Sequence, residues 1–167
     1  MEQGNGLIDG AMPKHTRETK RLGSLRQHWF AFAEAISAAT LAMKYQNGST
    51  DEEKSVGRSL SFQAITSYAR PFTQCNGIAS PKSKGDKELI DLRNQITAHL
   101  DALSHVYVTK VIIANGKAVN LSGVPTLLSF MPKVIQESRK ELKRTEEEAA
   151  PLEEYIAKLG LTDGVYE

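Results

Sequence analysis

The chain has 167 residues, of which 40% are hydrophobic and 25% charged, and its formal net charge is +1. These values are ordinary for one soluble globular domain, and the length is too short for two sizeable cores. The near-neutral charge argues against a protein that holds long nucleic-acid duplexes through a basic surface. The sequence has no apolar run of membrane-spanning length, and its single cysteine, Cys75, excludes an internal disulfide. We therefore expect a cytoplasmic protein with no membrane contact.

The first 22 residues predict a flexible N-terminal tail, because they hold three of the twelve glycines and no periodic apolar stripe. A run of bases lies here, from Lys14 to Arg21. Such a tail can hold RNA electrostatically, or it can be a solvated terminus. A single domain is expected over residues 23–160, followed by a C-terminal tail over 161–167.

Two helices are predicted before residue 73. Ser24 is a good N-cap for the first, which ends near Tyr45. Thr50 or Asp51 can cap the second, which ends near Arg70 because a residue before proline avoids the α conformation. The predicted apolar face of the first helix consists of Leu25, Trp29, Phe32, Ile36 and Met43.

The third predicted helix carries the polar residues of greatest interest. A surface loop over residues 73–85 precedes it, and Asp86 is its candidate cap. Within residues 89–101, LIDLRNQITAHLD, the leucines and the isoleucine at position 96 fall on one stripe. Arg93 and His99 flank that stripe, about 120° apart at 100° per residue. Each must find a polar partner where the helix meets its neighbours.

Beyond this helix the pattern changes twice. β-Branched residues on both sides of Asn115-Gly116 predict a small β-hairpin near residues 105–121, with a type I′ turn. A C-terminal helix follows, bent or split by Pro151 and ended by Gly160. It carries a heptad-type seam that can dock on the bundle or pair with a second copy. The seam consists of Met131, Ile135, Ser138, Leu142, Thr145, Ala149, Leu152, Ile156 and Leu159.

The string from Leu92 to His99, Leu-Arg-Asn-x-x-x-Ala-His, resembles the Arg-x4–6-His signature of the HEPN superfamily. Residues 68–72, Tyr-Ala-Arg-Pro-Phe, resemble a short motif of uncharacterised bacterial and phage-borne HEPN-like proteins. The resemblance covers about residues 25–103. It implies an all-α, up-and-down bundle of four to five helices, into which the hairpin is inserted, and a homodimer.

The resemblance also implies a function, that of a metal-independent endoribonuclease of the toxin or defence type. In this reading Arg93 clamps a phosphate, His99 is the general acid and base, and Asn94 orients them. Arg70 and Tyr68 are expected to bind the substrate, which is RNA because the reaction needs a 2′-hydroxyl. A toxin of this type implies a neutralising protein partner. No cofactor is expected, since the histidines and the cysteine have no metal-ligand spacing and no phosphate-binding glycine loop is present.

Geometry adds a condition to this hypothesis. Arg93 and His99 are about 9 Å apart along an ideal helix, so they do not converge within one straight helix. Either the helix distorts near Thr97, or a two-fold partner brings a second copy of the motif opposite the first.

Other interpretations of the same residues remain open. Arg93 can pair with Asp101, with Glu88 or with an acid of the C-terminal helix, and His99 can be a histidine at the edge of the core. Tyr68 and Phe72 can belong to the core while Arg70 caps helix carbonyls. The whole chain can also be a non-catalytic HEPN-like module that binds RNA, a nucleotide or a protein, or a structural subunit assembled through the heptad seam.

Overall fold

The structure is a computed structural model that describes residues 14–45, 48–73, 79–103, 111–114, 117–120 and 127–160, and for residues 14–16, 98–103 and the two strands it describes the backbone alone. Four α-helices dominate the described part of the chain. The elements are α1 (Lys14–Tyr45), α2 (Asp51–Thr73), α3 (Lys84–Leu103), β1 (Val111–Ala114), β2 (Lys117–Asn120), a 3₁₀ turn (Leu127–Phe130) and α4 (Met131–Lys158).

Neighbouring helices of the bundle run antiparallel. The last residue of α1, Tyr45, lies beside Gly57 near the start of α2, whereas Glu34 pairs with Arg70 near the end of α2. α4 is antiparallel to α1, because its contacts with α1 fall at Trp29–Glu146 and Arg26–Glu153. α4 is also antiparallel to α3, through Glu88–Lys133 and Ser83–Glu137. The four described helices therefore form an up-and-down bundle.

The main core is built on a face of α1 that is rich in small residues. Alanine has no side chain beyond Cβ, so α2 and α4 can approach this face closely. The expected face of large residues is only partly correct, since Phe32 is buried but Trp29 is 36% exposed and Met43 is 39% exposed. The buried alanines of α1 are Ala31, Ala35, Ala38, Ala39 and Ala42. Phe32, Tyr68 and Phe72 complete the core as a group of tilted aromatic rings.

A second, smaller core cluster joins the beginning of α1 to the end of α4. Leu22 and Leu25 pack there against Leu152 and Ile156. α1 begins at Lys14, so the predicted tail boundary at residue 22 falls inside this helix. The prediction that Ser24 caps the first helix is wrong for the same reason. Residues 1–13 and the predicted C-terminal tail, residues 161–167, lie outside the described residues.

Two reciprocal capping boxes fix the starts of α2 and α3. Thr50 accepts a hydrogen bond from the Glu53 N–H, and the Glu53 carboxylate accepts one from the Thr50 N–H, which confirms Thr50 as the cap of α2. At α3, Ser83 accepts from the Asp86 N–H while Asp86 accepts from the Ser83 N–H. Asp86 is therefore the third residue of the helix and Ser83 is its N-cap, three residues before the predicted one.

Prolines interrupt the helices less than the sequence predicts. α2 continues past Pro71 to Thr73, and the Pro71 carbonyl accepts a hydrogen bond from Ala79. α4 runs unbroken through Pro151, which is exposed, so the carbonyl left without a helical partner lies on the water-facing side. Gly160 follows with φ 66°, the left-handed conformation that ends helices.

The heptad-type seam of α4 is docked within the chain. Met131, Ser138 and Thr145 are buried, together with Leu152 and Ile156. Leu159 lies beyond the helix end and is 48% exposed. Ile135, Leu142 and Ala149 are partly buried, so most of the seam packs against the other helices of its own chain.

Two short strands lie in the segment for which the sequence predicts a hairpin. β1 and β2 pair antiparallel, with Val111 opposite Asn120 and Ala114 opposite Lys117. The predicted turn residues, Asn115 and Gly116, lie outside the described residues.

Candidate functional site

A buried polar cluster sets the position of α3. The Asp86 carboxylate is fully buried and accepts hydrogen bonds from the Tyr68 hydroxyl at 2.5 Å and from the Lys82 and Ser83 N–H groups at 2.7 Å each. Burial alone raises the pKa of this carboxyl, but the bonds from Tyr68, Ser83 and Lys82 outweigh it and hold the pKa below its ordinary value. The first turn of α3 is thereby tied to α2.

The first turn of α3 also lies against α4. Gly85 leaves room for Glu137, since a Cβ at position 85 would lie 2.7 Å from the Glu137 carboxyl carbon. Glu137 is itself buried and accepts hydrogen bonds from Ser83 and Lys140. With its start held on two sides, α3 buries Leu89 and Leu92 and turns its other side outward.

Arg93 and Asn94 lie on that outward side. The Arg93 guanidinium donates a hydrogen bond to the Asn94 side-chain oxygen at 3.2 Å, and Asn94 is exposed. In the described part of the chain Arg93 takes part in no ion pair, and Glu88, one partner that the sequence offers it, is paired with Lys133. Arg93 is partly exposed on this side of the helix.

His99 lies about 1.7 turns further along the same helix. α3 continues without a break through Thr97, whose hydroxyl donates to the Arg93 carbonyl at 2.9 Å. The helix is therefore not interrupted at the point where the sequence allows a distortion. Arg93 and His99 are separated by about 9 Å along the axis, and one copy of α3 does not bring them together. The side chains of His99 and Asp101 lie outside the described ones.

Arg70 is not associated with Arg93 but with α1. Its guanidinium forms an ion pair with Glu34 at 3.2 Å, and Gln63 donates to the other oxygen of that carboxylate at 3.0 Å. The Gln63 hydrogen bond, with the Arg70 charge, lowers the pKa of Glu34. Arg70 thus has a protein partner, which differs from both the phosphate and the helix carbonyls considered from the sequence.

Tyr68 has no exposed surface. Its ring packs between Phe32 and Phe72, and burial together with the Asp86 hydrogen bond raises the pKa of its hydroxyl. This environment favours the interpretation of Tyr68 as a core residue over its expected role in substrate binding.

A large cleft lies away from all the residues that the sequence predicts as site residues. It has a volume of about 770 Å³ and lies between α1, α4 and residues 79–82. Arg17 and Arg21 line it, whereas Arg93 does not. The run of bases from Lys14 to Arg21 is the sequence signal for this cleft, although its glycine-rich surroundings predict a flexible tail. Reading that run at helical spacing would have placed both arginines on one face.

Within the described residues no group of three or more histidine, cysteine, aspartate or glutamate side chains is placed to hold a metal ion. None of the described helices is both long enough and apolar enough to cross a membrane. Comparisons with protein-family models, with curated proteins and with solved structures give no match for this chain. The resemblance to HEPN proteins therefore stands on its motif residues alone.

Proposed function

We propose that this chain is a HEPN-like, metal-independent endoribonuclease whose site is formed by Arg93, Asn94 and His99. The observation that carries the proposal is the state of Arg93. Its guanidinium is half-buried, bonded to the exposed Asn94, and in no ion pair among the described residues, whereas Arg70 is paired with Glu34. An arginine that no acid among the described side chains neutralises, next to an amide that orients it, supports a role in binding an anionic group.

The chemistry follows from these residue types. Arg93 binds the scissile phosphate and stabilises the charge that develops on it. His99 takes the proton of the ribose 2′-hydroxyl, and a second His99 or water gives a proton to the leaving 5′-oxygen. The 2′-oxygen forms a bond to phosphorus as the 5′-oxygen leaves, which yields a 2′,3′-cyclic phosphate. DNA lacks the attacking hydroxyl and is not cut.

The site is completed by a second copy of the chain. Because α3 is continuous between Arg93 and His99, a phosphate held by Arg93 in one protomer is most readily reached by His99 of another. A two-fold axis next to α3 creates two such composite sites. Asp91, Asn94 and Gln95 are exposed and leave this side of α3 open to a partner.

The biological role that fits such an enzyme is that of a toxin or defence nuclease in the cytoplasm. Cleavage of cellular RNA needs no cofactor, so activity must be restrained by a neutralising protein until it is required.

The test is a cleavage assay on total RNA and tRNA in EDTA, with end-group analysis of the fragments. We expect wild type to release fragments with 2′,3′-cyclic phosphate ends, and His99→Ala to release none. Arg93→Lys keeps the charge but loses bidentate phosphate binding, and should lower the rate about 10² to 10³-fold. Arg58→Lys, at an exposed arginine of α2, is the matched control and should cleave like wild type.

The proposal fails if wild type does not cut RNA, or if His99→Ala cuts it equally well. Absence of cleavage by a protein that is dimeric in light scattering would instead favour the non-catalytic HEPN-like binding module. A requirement for a divalent metal would also contradict the proposed chemistry, since EDTA would then abolish activity.

A further inference from the structure

The large cavity described above is a cleft with a basic wall, here called the α1–α4 cleft. Arg17, Arg21, Ser24 and His28 line it from α1. They follow one another at steps of four, three and four residues, so they lie on one face of the helix. Lys82 lines the cleft from the segment that precedes α3.

The charge of this cleft is unlike that of the rest of the chain. Five basic and three acidic side chains line it, a net of +2 with His28 neutral, while the whole chain carries only +1. One of the three acids, Glu141, is buried and ion-paired with Arg144 of the same helix. The lining of this cleft therefore carries a net positive charge.

Three of these bases are available to a ligand. Arg17, Arg21 and Lys82 are exposed, and no ion pair involves them among the described residues. This sets them apart from Arg26 and Arg70, which pair with Glu153 and Glu34. At the standard helical rise Arg17 and Arg21 are about 6 Å apart along α1. Two guanidinium groups at this spacing can bind two successive anionic groups of one ligand.

We propose that the α1–α4 cleft binds a run of phosphate groups, those of a nucleic-acid strand or of a nucleotide polyphosphate. Arginine forks match phosphate oxygens in pairs, and a cleft of about 770 Å³ is large enough for a short run of nucleotides. The ring-bearing residues that line it, Phe32 and His28, are 1% and 6% exposed, so they give bases no surface for stacking. Recognition is thus of the phosphates and is indifferent to base sequence. The inference does not depend on the proposed ribonuclease activity.

The experiment measures fluorescence anisotropy of a labelled oligothymidylate about a dozen nucleotides long, which covers a typical single-strand site. Deoxyribonucleotides serve as the probe because the proposed nuclease does not cut them, so binding and cleavage are measured separately. Titrations run between about 50 and 200 mM salt, with inorganic triphosphate and ATP as competitors. The test variant is Arg17→Gln/Arg21→Gln. The matched control is Arg58→Gln/Arg139→Gln, which removes the same charge from exposed sites outside the cleft.

We expect the cleft variant to bind about tenfold more weakly, with a salt slope shallower by about 1.4, at 0.7 for each single-strand phosphate contact. The control variant should bind within twofold of wild type. Glu148→Gln removes an exposed acid from the cleft rim and should tighten binding. If the oligonucleotide does not bind but inorganic triphosphate and ATP bind in a direct calorimetric titration, the phosphates belong to a nucleotide. Direct oligonucleotide binding assigns them to a strand.

Equal weakening of the cleft and control variants would overturn the inference, because it would show attraction to the whole surface. The same holds if none of the three phosphate compounds binds wild type. Circular dichroism of each variant verifies that the helices are intact. A wild-type protein that binds phosphate compounds but does not cleave RNA would refute the proposed nuclease and leave the cleft assignment unchanged.

Discussion

Asp86 is the residue on which the arrangement of α3 most depends. Its carboxylate is buried and receives three hydrogen bonds, from the Tyr68 hydroxyl and from two N–H groups. A buried charge is tolerated only where such donors replace water. One side chain thereby joins α2, the segment before α3 and α3 itself.

Replacing Asp86 by asparagine should destabilise the fold by about 2–3 kcal/mol at neutral pH, because the amide cannot accept all three bonds. The pKa of Asp86 is lowered in the folded state, so its stabilisation is present above the ordinary carboxyl range and is lost as the pH falls through the folded-state pKa. Asp86→Asn should therefore lose less stability than wild type between about pH 4 and pH 2. Urea denaturation followed by circular dichroism at each pH measures both effects.

Asp91→Asn provides the control for this experiment. Asp91 is exposed on the same helix, and the variant should unfold like wild type at neutral pH. Neutral-pH stability of Asp86→Asn equal to that of wild type would contradict the importance of the buried carboxylate.

The contrast between Arg93 and Tyr68 shows what residue type reveals about a site. The position of Arg93 beside the apolar stripe of α3 is predictable from the helical spacing of the leucines in the sequence. The partner of Tyr68 is not, because Asp86 is 18 residues away and joins it only through tertiary packing. Sequence could therefore indicate which residues carry polar chemistry, but not which of them are already satisfied inside the protein.

At the scale of whole elements, the sequence predicts the four helices better than their buried faces. On α1 it favours large apolar side chains, yet Trp29 is 36% exposed, Met43 is 39% exposed, and most of the core face is formed by alanines. For a single residue, burying a large apolar side chain stabilises the fold more than burying an alanine. Close contact of α1 with two other helices instead selects small residues, and this requirement is invisible until the neighbours are known.

Glycines within helices offer a direct test of how closely α3 and α4 approach. An alanine at position 23 of α1 meets nothing within 4 Å and should stabilise the protein by about 0.5–1 kcal/mol through helix propensity. An alanine at position 85 meets the Glu137 carboxyl group instead and should destabilise it by about 1–2 kcal/mol through overpacking. Thermal denaturation of Gly23→Ala and Gly85→Ala compares the two. Similar gains in both variants would rule out the tight contact between Gly85 and Glu137.

At the scale of the whole molecule, a composite site predicts how much activity a mixture of two inactive variants recovers. If each site combines Arg93 of one protomer with His99 of another, Arg93→Ala and His99→Ala homodimers are both inactive. A mixed dimer contains one intact site, formed by the arginine of the second variant and the histidine of the first. Random pairing gives mixed dimers in half of the population, so activity should return to about a quarter of the wild-type level.

Unfolding and refolding the two variants together, then measuring RNA cleavage, tests this complementation. The same variants refolded separately and mixed afterwards serve as the control for exchange between dimers. Activity that stays absent in the refolded mixture, although the single wild-type protein refolds and cuts RNA, would place Arg93 and His99 of one site in the same chain.

The division of the core into two clusters gives the molecule two levels of cooperativity. The main cluster involves all four helices, whereas Leu22, Leu25, Leu152 and Ile156 connect only the start of α1 with the end of α4. Small clusters of this kind open at lower free energy than the structure as a whole. In the α1–α4 cleft, Arg17 and Arg21 come from the start of α1, beside the smaller cluster. Lys82 comes from the segment before α3, which is tied to the main part of the bundle. An anion held by both the start of α1 and Lys82 would therefore link the two clusters and raise the free energy needed to open the smaller one.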